Sequence, residues 1–168
     1  MGGGDLATLR LLAEAATRIE GDALERLDVV GVDDLGQLVA WAWVIDADRS
    51  HVLLIDHHRW NMWMAPGGRV GSGEDPLGAA ARELFEETGA TGVPVTTTPA
   101  FVDAIDGVSP AGRTVTTFGV AFVFQADRDA TLSPEAGQPA SWWPLAEPPE
   151  RRNLHHWEWM VEHLIRIA

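Results

Sequence analysis

The sequence of 168 residues predicts an α/β fold in which a mixed sheet is flanked by helices. Three observations predict it: an amphipathic repeat near the N-terminus, a series of short β-prone runs broken by polar turns, and two further helical stretches. One of these helices follows a glycine-rich segment and the other closes the chain. Hydrophobic residues make up 46% and charged residues 22%, close to the globular average. The length suits one compact core, so a single domain is expected over 1–168.

Leu6, Leu9, Leu12, Ala13, Ala16 and Ile19 recur at spacings of three and four, which predicts a helix over about 5–20 with Asp5 as its N-cap. Leu38 to Ile45 and His51 to Ile55 read as a hairpin, joined by the polar turn Asp46 to Arg49. Trp60 to Met64 extends the sheet. Val93 to Ala104 and Thr114 to Gln125 are extended runs, separated by a segment over 106–112 that reads as a loop long enough to contact a ligand. Ser141 to Leu145 forms a last short strand, and a closing helix is expected over about 153–167, preceded by Pro148 and Pro149. No internal repeat interrupts this pattern.

Composition excludes several chemistries. All 12 basic residues are arginine, and lysine, cysteine and tyrosine are absent. Without lysine there is no Schiff-base enzyme and no phosphate loop of the Gly-Lys-Ser/Thr type. Without cysteine there are no disulfides, thiol nucleophiles or thiolate metal sites. The net charge of −13 disfavours DNA, long RNA tracks and anionic membranes, all of which call for a basic surface. The start Met1-Gly2-Gly3-Gly4-Asp5-Leu6 lacks the features of a signal peptide, and no apolar run approaches the ~20 residues of a membrane span. A cytoplasmic location is the expectation.

The stretch from Pro66 to Pro76 holds Gly67, Gly68, Gly71 and Gly73, so its backbone can turn tightly and approach a ligand. A helix should follow at once: Asp75 suits its N-cap, Pro76 its first turn, and Gly89 the residue just past its end. On that helix Glu83, Glu86 and Glu87 stand three and four apart, which puts three carboxylates on one face. A solvated acidic surface tolerates such a cluster. A hard cation such as Mg²⁺ or Mn²⁺ turns its repulsion into binding. Arg82, four residues before Glu86, is placed to orient or neutralise a carboxylate. The dinucleotide fingerprint fails, because Pro76 stands where its third glycine belongs.

Gly68, five residues, Glu74, seven residues, and then Arg82-Glu83-Leu84-Phe85-Glu86-Glu87-Thr88-Gly89-Ala90 resemble the Nudix box of the Nudix hydrolase family. Every polar and glycine position matches. Trp63 ahead of Pro66-Gly67-Gly68 and Trp142-Trp143-Pro144-Leu145 near the end are similar to family members as well. Ala90 departs from the usual larger aliphatic, and Gly71 stands where many relatives carry an acid.

The resemblance implies a Nudix α/β/α sandwich and hydrolysis of a diphosphate linkage in a small nucleoside diphosphate derivative, through water attack on phosphorus. It implies Mg²⁺ (or Mn²⁺) held by Glu83, Glu86 and Glu87 with the Gly68 carbonyl, while Arg82, Glu74, Gly67 and Gly89 support the box. For the general base, Glu86, Glu87 and Glu135, on a later loop, are the candidates. Arg69, Trp63 and Trp142 are the candidates for substrate contact, and a homodimer stays open. The alternative function is a Nudix-fold protein that binds a nucleotide for regulation without turning it over. Isoprenoid diphosphate isomerisation is disfavoured, because that branch relies on a cysteine.

The pairs His57-His58 and His155-His156 make no ready chelate, since neighbours on a strand point to opposite faces and neighbours on a helix sit about 100° apart. Structural roles are expected for them, as for Trp41, Trp43, Trp157 and Trp159. Trp60 and Trp143 join Trp63 and Trp142 in regions where an indole could stack on a base. Which compound carries the diphosphate is not written in the box. Substrate choice is expected from the 105–112 segment and the surroundings of Trp142.

Overall fold

The computed structural model describes residues 3–16, 18–19, 22–23, 25–26, 35–108, 111–152 and 154–166. Asn153 and Ile167, Ser109 and Pro110, and the side chains of His155 and Trp159 lie outside the described residues. The elements in chain order are α1 (Gly3–Ala15), β1 (Arg18–Ile19), β2 (Leu35–Ile45), β3 (His51–His57), β4 (Met62–Met64), β5 (Gly67–Arg69), α2 (Pro76–Thr88), β6 (Gly92–Pro94), β7 (Phe101–Val108), β8 (Thr114–Ala126), β9 (Ala140–Pro144) and α3 (Leu154–Arg166). Parallel pairing of β1 with β7 among antiparallel neighbours makes the sheet mixed, with helices flanking it. No helix among the described residues is long and apolar enough to cross a membrane.

The chain divides into two compact units, and β2, β8 and α2 each pass from one into the other. The first unit comprises residues 1–41, 68–80 and 96–122. Here α1 packs on β7 through its buried Leu9 and Ala13. The helix is offset from the expectation. It begins at Gly3, so Asp5 lies inside it instead of capping it, and it ends at Ala15. Ile19 belongs to β1 and pairs with Val102, so it is a half-buried strand residue and not part of a fifth helical turn.

The expected loop over 106–112 begins as strand, its first three residues belonging to β7, while Ser109 and Pro110 lie outside the described residues. The β7–β8 ladder runs on through Asp106↔Thr116 and Gly107↔Val115 to Val108↔Thr114, and Gly112 ahead of β8 takes φ 76°. Arg26 clamps the ladder, donating to the Ala104 carbonyl, Asp106 and Thr116. A ligand-contacting loop therefore does not form at 105–108. The run Val93 to Ala104 is also broken, with β6 ending at Pro94 and β7 starting at Phe101.

The second unit comprises residues 42–67, 81–95 and 123–168. Its centre is β3, where Val52, Leu53, Leu54 and Ile55 are all fully buried. A strand buried at consecutive positions is covered on both faces. It pairs with β9 along one edge and with β2 and then β4 along the other, so that Leu53 stands between Val44 and Trp142 and Ile55 between Met64 and Ala140. The hairpin turn is fixed by Asp46, whose Oδ1 accepts from the Ser50 and His51 amides and whose Oδ2 accepts from Arg128 at 2.8 Å.

Helix α3 covers the face of Trp43, whose ring lies 6.2 Å from that of Trp157. Trp43 and Trp157 are thus core residues, as expected. In β6, Gly92 leaves room for Phe124 and Leu84, which would stand 3.0 and 3.1 Å from a Cβ there.

Candidate active site

Helix α2 starts and stops where the sequence says it should. Asp75 Oδ2 accepts the Gly78 amide at 2.9 Å, an N-cap bond to the third helical residue. Gly89 takes φ 72°, the left-handed conformation that favours glycine just past a helix end. In the preceding loop Glu74 Oε2 accepts the Gly71 amide at 2.7 Å, so Glu74 closes the turn internally. Arg69 in β5 is exposed.

The three box acids have different surroundings. Arg82 Nη1 donates to Glu83 Oε1 at 2.7 Å and to Glu86 Oε2 at 3.0 Å, so one nitrogen serves both carboxylates. Glu83 is largely covered and Glu86 is mostly open to solvent. Glu87 turns inward and is only 8% exposed. Its Oε2 accepts the Gly67 amide and its Oε1 accepts Gln138 Nε2, both at 2.8 Å. Burial, above all, pushes the Glu87 carboxyl up to about 7. The two hydrogen bonds act against that rise, while the charges of Glu83 and Glu135 add to it.

Residues 133–138 are strapped across the C-terminal end of α2. The Ser133 amide donates to the Thr88 carbonyl at 2.8 Å, the Glu135 amide to the Glu87 carbonyl at 3.3 Å, and the Gln138 amide to the Glu135 carbonyl at 3.0 Å. This strap sets the exposed side chain of Glu135 close enough for its charge to act on both Glu87 and His57. Burial holds His57 below the ordinary imidazole range, the neighbouring His58 adds to this, and Glu135 opposes it.

The aromatic candidates are separated by register. Trp142 pairs with Leu53 and Trp63 pairs with Asp56, so the two indoles lie on opposite faces. Trp63 packs edge-on against Trp143, with centroids 5.2 Å apart. Trp142 shares its face with Ile55 and His57. The expected divergence of His57 and His58 does not occur. His58 lies beyond β3 in a turn, and the two rings stack with centroids 5.4 Å apart and planes 16° from parallel.

Gln138 escaped the sequence reading, since a lone glutamine between Gly137 and Pro139 carries no motif. A depression of about 650 Å³ lined by Ala47, Val93, Pro94, Val95 and Gln125 shares no residue with the acids.

As they stand, no three of the described acidic and histidine side chains form a ready metal cluster. The donors themselves suit a hard cation: Glu83, Glu86 and Glu87 offer only carboxylate oxygen, and Arg82 is bonded to two of the three.

Residues 36–162 match the family model described as NUDIX domain. Nucleoside diphosphate-linked moiety X motif 6 of Mus musculus is 37% identical over 86 residues, 49% of this chain and 24% of that protein. Diphosphoinositol polyphosphate phosphohydrolase 2 of Rattus norvegicus is 50% identical over 44 residues, 26% of this chain and 25% of that protein. An RNA pyrophosphohydrolase of Rhizobium meliloti (strain 1021) is 61% identical over 28 residues, 17% of each chain. The matches thus span a quarter or less of these curated relatives. Among solved structures, a NUDIX family hydrolase from Clostridium perfringens superposes with TM-score 0.59 at 17% identity, covering 79% of this chain and 98% of that one. A MutT structure, from work on Aliivibrio salmonicida and Vibrio cholerae, superposes with TM-score 0.51 at 20% identity and the same coverage. These two likenesses show the fold.

Proposed function

The chain belongs to the Nudix domain family of pyrophosphohydrolases, and from that premise we propose that it hydrolyses the diphosphate linkage of a small nucleoside diphosphate derivative with Mg²⁺ or Mn²⁺. The observation that carries this reading is the setting of Glu87, a buried carboxylate held between the Gly67 amide and Gln138 beside two further box acids. Burying a carboxylate costs free energy unless hydrogen bonds and countercharge offset the lost hydration. A fold without a chemical use for Glu87 would gain by an apolar residue there.

In this reading Glu83, Glu86 and Glu87 hold the cation, with the carbonyl of Gly68, the residue after Gly67, as a further oxygen. The bound cation supplies countercharge for the oxygens that gain charge as the P–O bond breaks and lowers the pKa of the attacking water. Arg82 holds Glu83 and Glu86 apart from each other's charge until the cation arrives. Glu135 accepts the proton of the attacking water. Its strap to the Glu87 carbonyl supports this role, since it sets an exposed carboxylate near the buried one. Glu86 and Glu87 are the competing bases, and Arg69 is the candidate for a phosphate contact. The substrate is read as a small molecule because the net charge of −13 repels long polyanions.

The test is phosphate release from nucleoside triphosphates, ADP-ribose, dinucleoside polyphosphates and nucleotide sugars with Mg²⁺ or Mn²⁺. The native chain is compared with Glu86→Gln, Glu87→Gln and Glu135→Gln. Loss of turnover in the first two is expected, with Glu135→Gln lowering kcat. Full activity in both Glu86→Gln and Glu87→Gln, or no cleavage by the native chain, would refute the hydrolase and favour a nucleotide-binding regulator.

A further inference from the structure

We infer that Gln138 is a positioning residue: together with the Gly67 amide it fixes the plane of the Glu87 carboxylate, so that the lone pairs left over are held in one orientation for the cation. The inference rests on the cation reading above and deepens it, since that reading gives Gln138 no part in holding metal.

Backbone geometry delivers Gln138 to this place. Gly137 takes φ 82°, and a Cβ added there would meet nothing within 4 Å, so the glycine serves the left-handed turn and not a close approach. Pro139 restricts the residue before it to extended backbone. The Pro139 carbonyl accepts the Asp56 amide at 2.7 Å, which ties the end of the strap to β3. Between these two fixed points Gln138 is buried.

A closed ring of hydrogen bonds starts and ends at Glu87. The Glu87 carbonyl accepts the Glu135 amide at 3.3 Å, the Glu135 carbonyl accepts the Gln138 amide at 3.0 Å, and Gln138 Nε2 returns to Glu87 Oε1 at 2.8 Å. The Gly67 amide donates to the other oxygen, Oε2, also at 2.8 Å. The last torsion of a glutamate has a broad, nearly two-fold well, so a single donor leaves the carboxylate able to swing about it. Two donors on two oxygens, one from the box loop and one from the strap, stop that rotation. A carboxylate has roughly four acceptor positions, and those not taken by these donors stay available in a fixed direction.

The chemistry of the donors also favours a metal-directed role. Glu83 and Glu86 take their bonds from Arg82, a cation that offsets their charge. The donors from Gly67 and Gln138 are neutral amides, which orient the Glu87 carboxylate and leave its charge uncancelled. Groups that orient a metal-binding side chain in this way matter to metal affinity by tenfold or more.

The experiment is titration of the full chain with Mn²⁺ alone, followed by electron paramagnetic resonance, for the native protein, Gln138→Met, Gln138→Asn and Gly137→Ala, each with a thermal melt. Gln138→Met keeps the length of the side chain and loses the donor. Gln138→Asn keeps an amide one methylene short of its partner, and it supplies the reading where Gln138→Met does not fold. Both should bind Mn²⁺ roughly tenfold more weakly than the native chain. Gly137→Ala strains the turn and retains the donor, so it should lower the melting temperature with a much smaller loss of affinity. Native affinity in the folded Gln138 variants would overturn the inference. So would the absence of Mn²⁺ binding by the native chain, or an affinity loss that follows melting temperature alike in all three variants. The two readings can fail separately: a chain that binds Mn²⁺ in dependence on Gln138 and cleaves no diphosphate keeps the positioning role and loses the hydrolase. A chain that cleaves diphosphates and whose Gln138 variants bind Mn²⁺ like the native protein does the reverse.

Discussion

Gln138 Nε2 donates to Glu87 Oε1 at 2.8 Å across a sequence separation of 51 residues, tying the strap over 133–138 to the buried carboxylate of α2. Removing that donor leaves Glu87 with the Gly67 amide alone and raises its carboxyl further. Gln138→Leu should therefore lower turnover near pH 7 and shift the acid limb of the pH–rate profile upward. The chain itself should lose about 1–3 kcal/mol, the cost of an unmet hydrogen bond to a buried group. Paired kinetic profiles and urea melts check this; an unmoved acid limb would show that Glu87 does not titrate with activity.

The pH dependence of stability follows from the same carboxylate. Its value of about 7 in the fold stands above the ordinary 4.5, so the folded chain binds the proton more tightly than the unfolded one. Protonation of Glu87 thus favours the fold below about 4.5, and that contribution is lost as pH rises through about 7. In chelator-treated protein, melting temperature should fall between about pH 5 and about pH 8, more steeply in the native chain than in Glu87→Gln. Mg²⁺ should restore more stability at the higher pH, because ligation requires the ionised form. Parallel curves for native and Glu87→Gln protein would contradict the assignment.

Gly89 joins the helix end to the strap. A Cβ there would stand 2.8 Å from both the amide nitrogen and Cβ of Ser133, while the backbone sits at φ 72°. Neither conflict can be relieved by a side-chain rotation alone. Gly89→Ala should cost about 1–3 kcal/mol from backbone strain and displace Glu135 and Gln138, lowering kcat as well as stability. Thermal melts and steady-state kinetics separate the two effects, and a variant that loses stability with kcat intact would show that the strap is not catalytic.

These relationships explain what could be read from sequence. Helix α2 was legible because its signals are local: a cap at Asp75, a stop at Gly89 and acids at helical spacing all act within a few residues. The Gln138–Glu87 bond was not, since nothing local marks a glutamine that meets its partner only after the chain folds back. The segment over 106–112 misled because Asp106, Gly107 and Gly112 are turn formers by composition, whereas cross-strand pairing to Thr114–Thr116 keeps 106–108 in the ladder. Ile19 misled in the opposite way, matching the helical period by coincidence while it pairs as a strand residue with Val102 of β7. The His57–His58 stack required knowing that β3 ends between them.

Arg82 supplies the countercharge for Glu83 and Glu86 in the absence of a cation. The pair with Glu86 lies at the surface and should contribute little, so Arg82→Met should cost the metal-free chain under about 1 kcal/mol. Because the cation takes over the neutralisation, the rise in melting temperature on adding Mg²⁺ should be larger in Arg82→Met than in the native chain. Calorimetry with and without Mg²⁺ reads the difference. Equal increments would mean that Arg82 and the cation do not act on the same carboxylates.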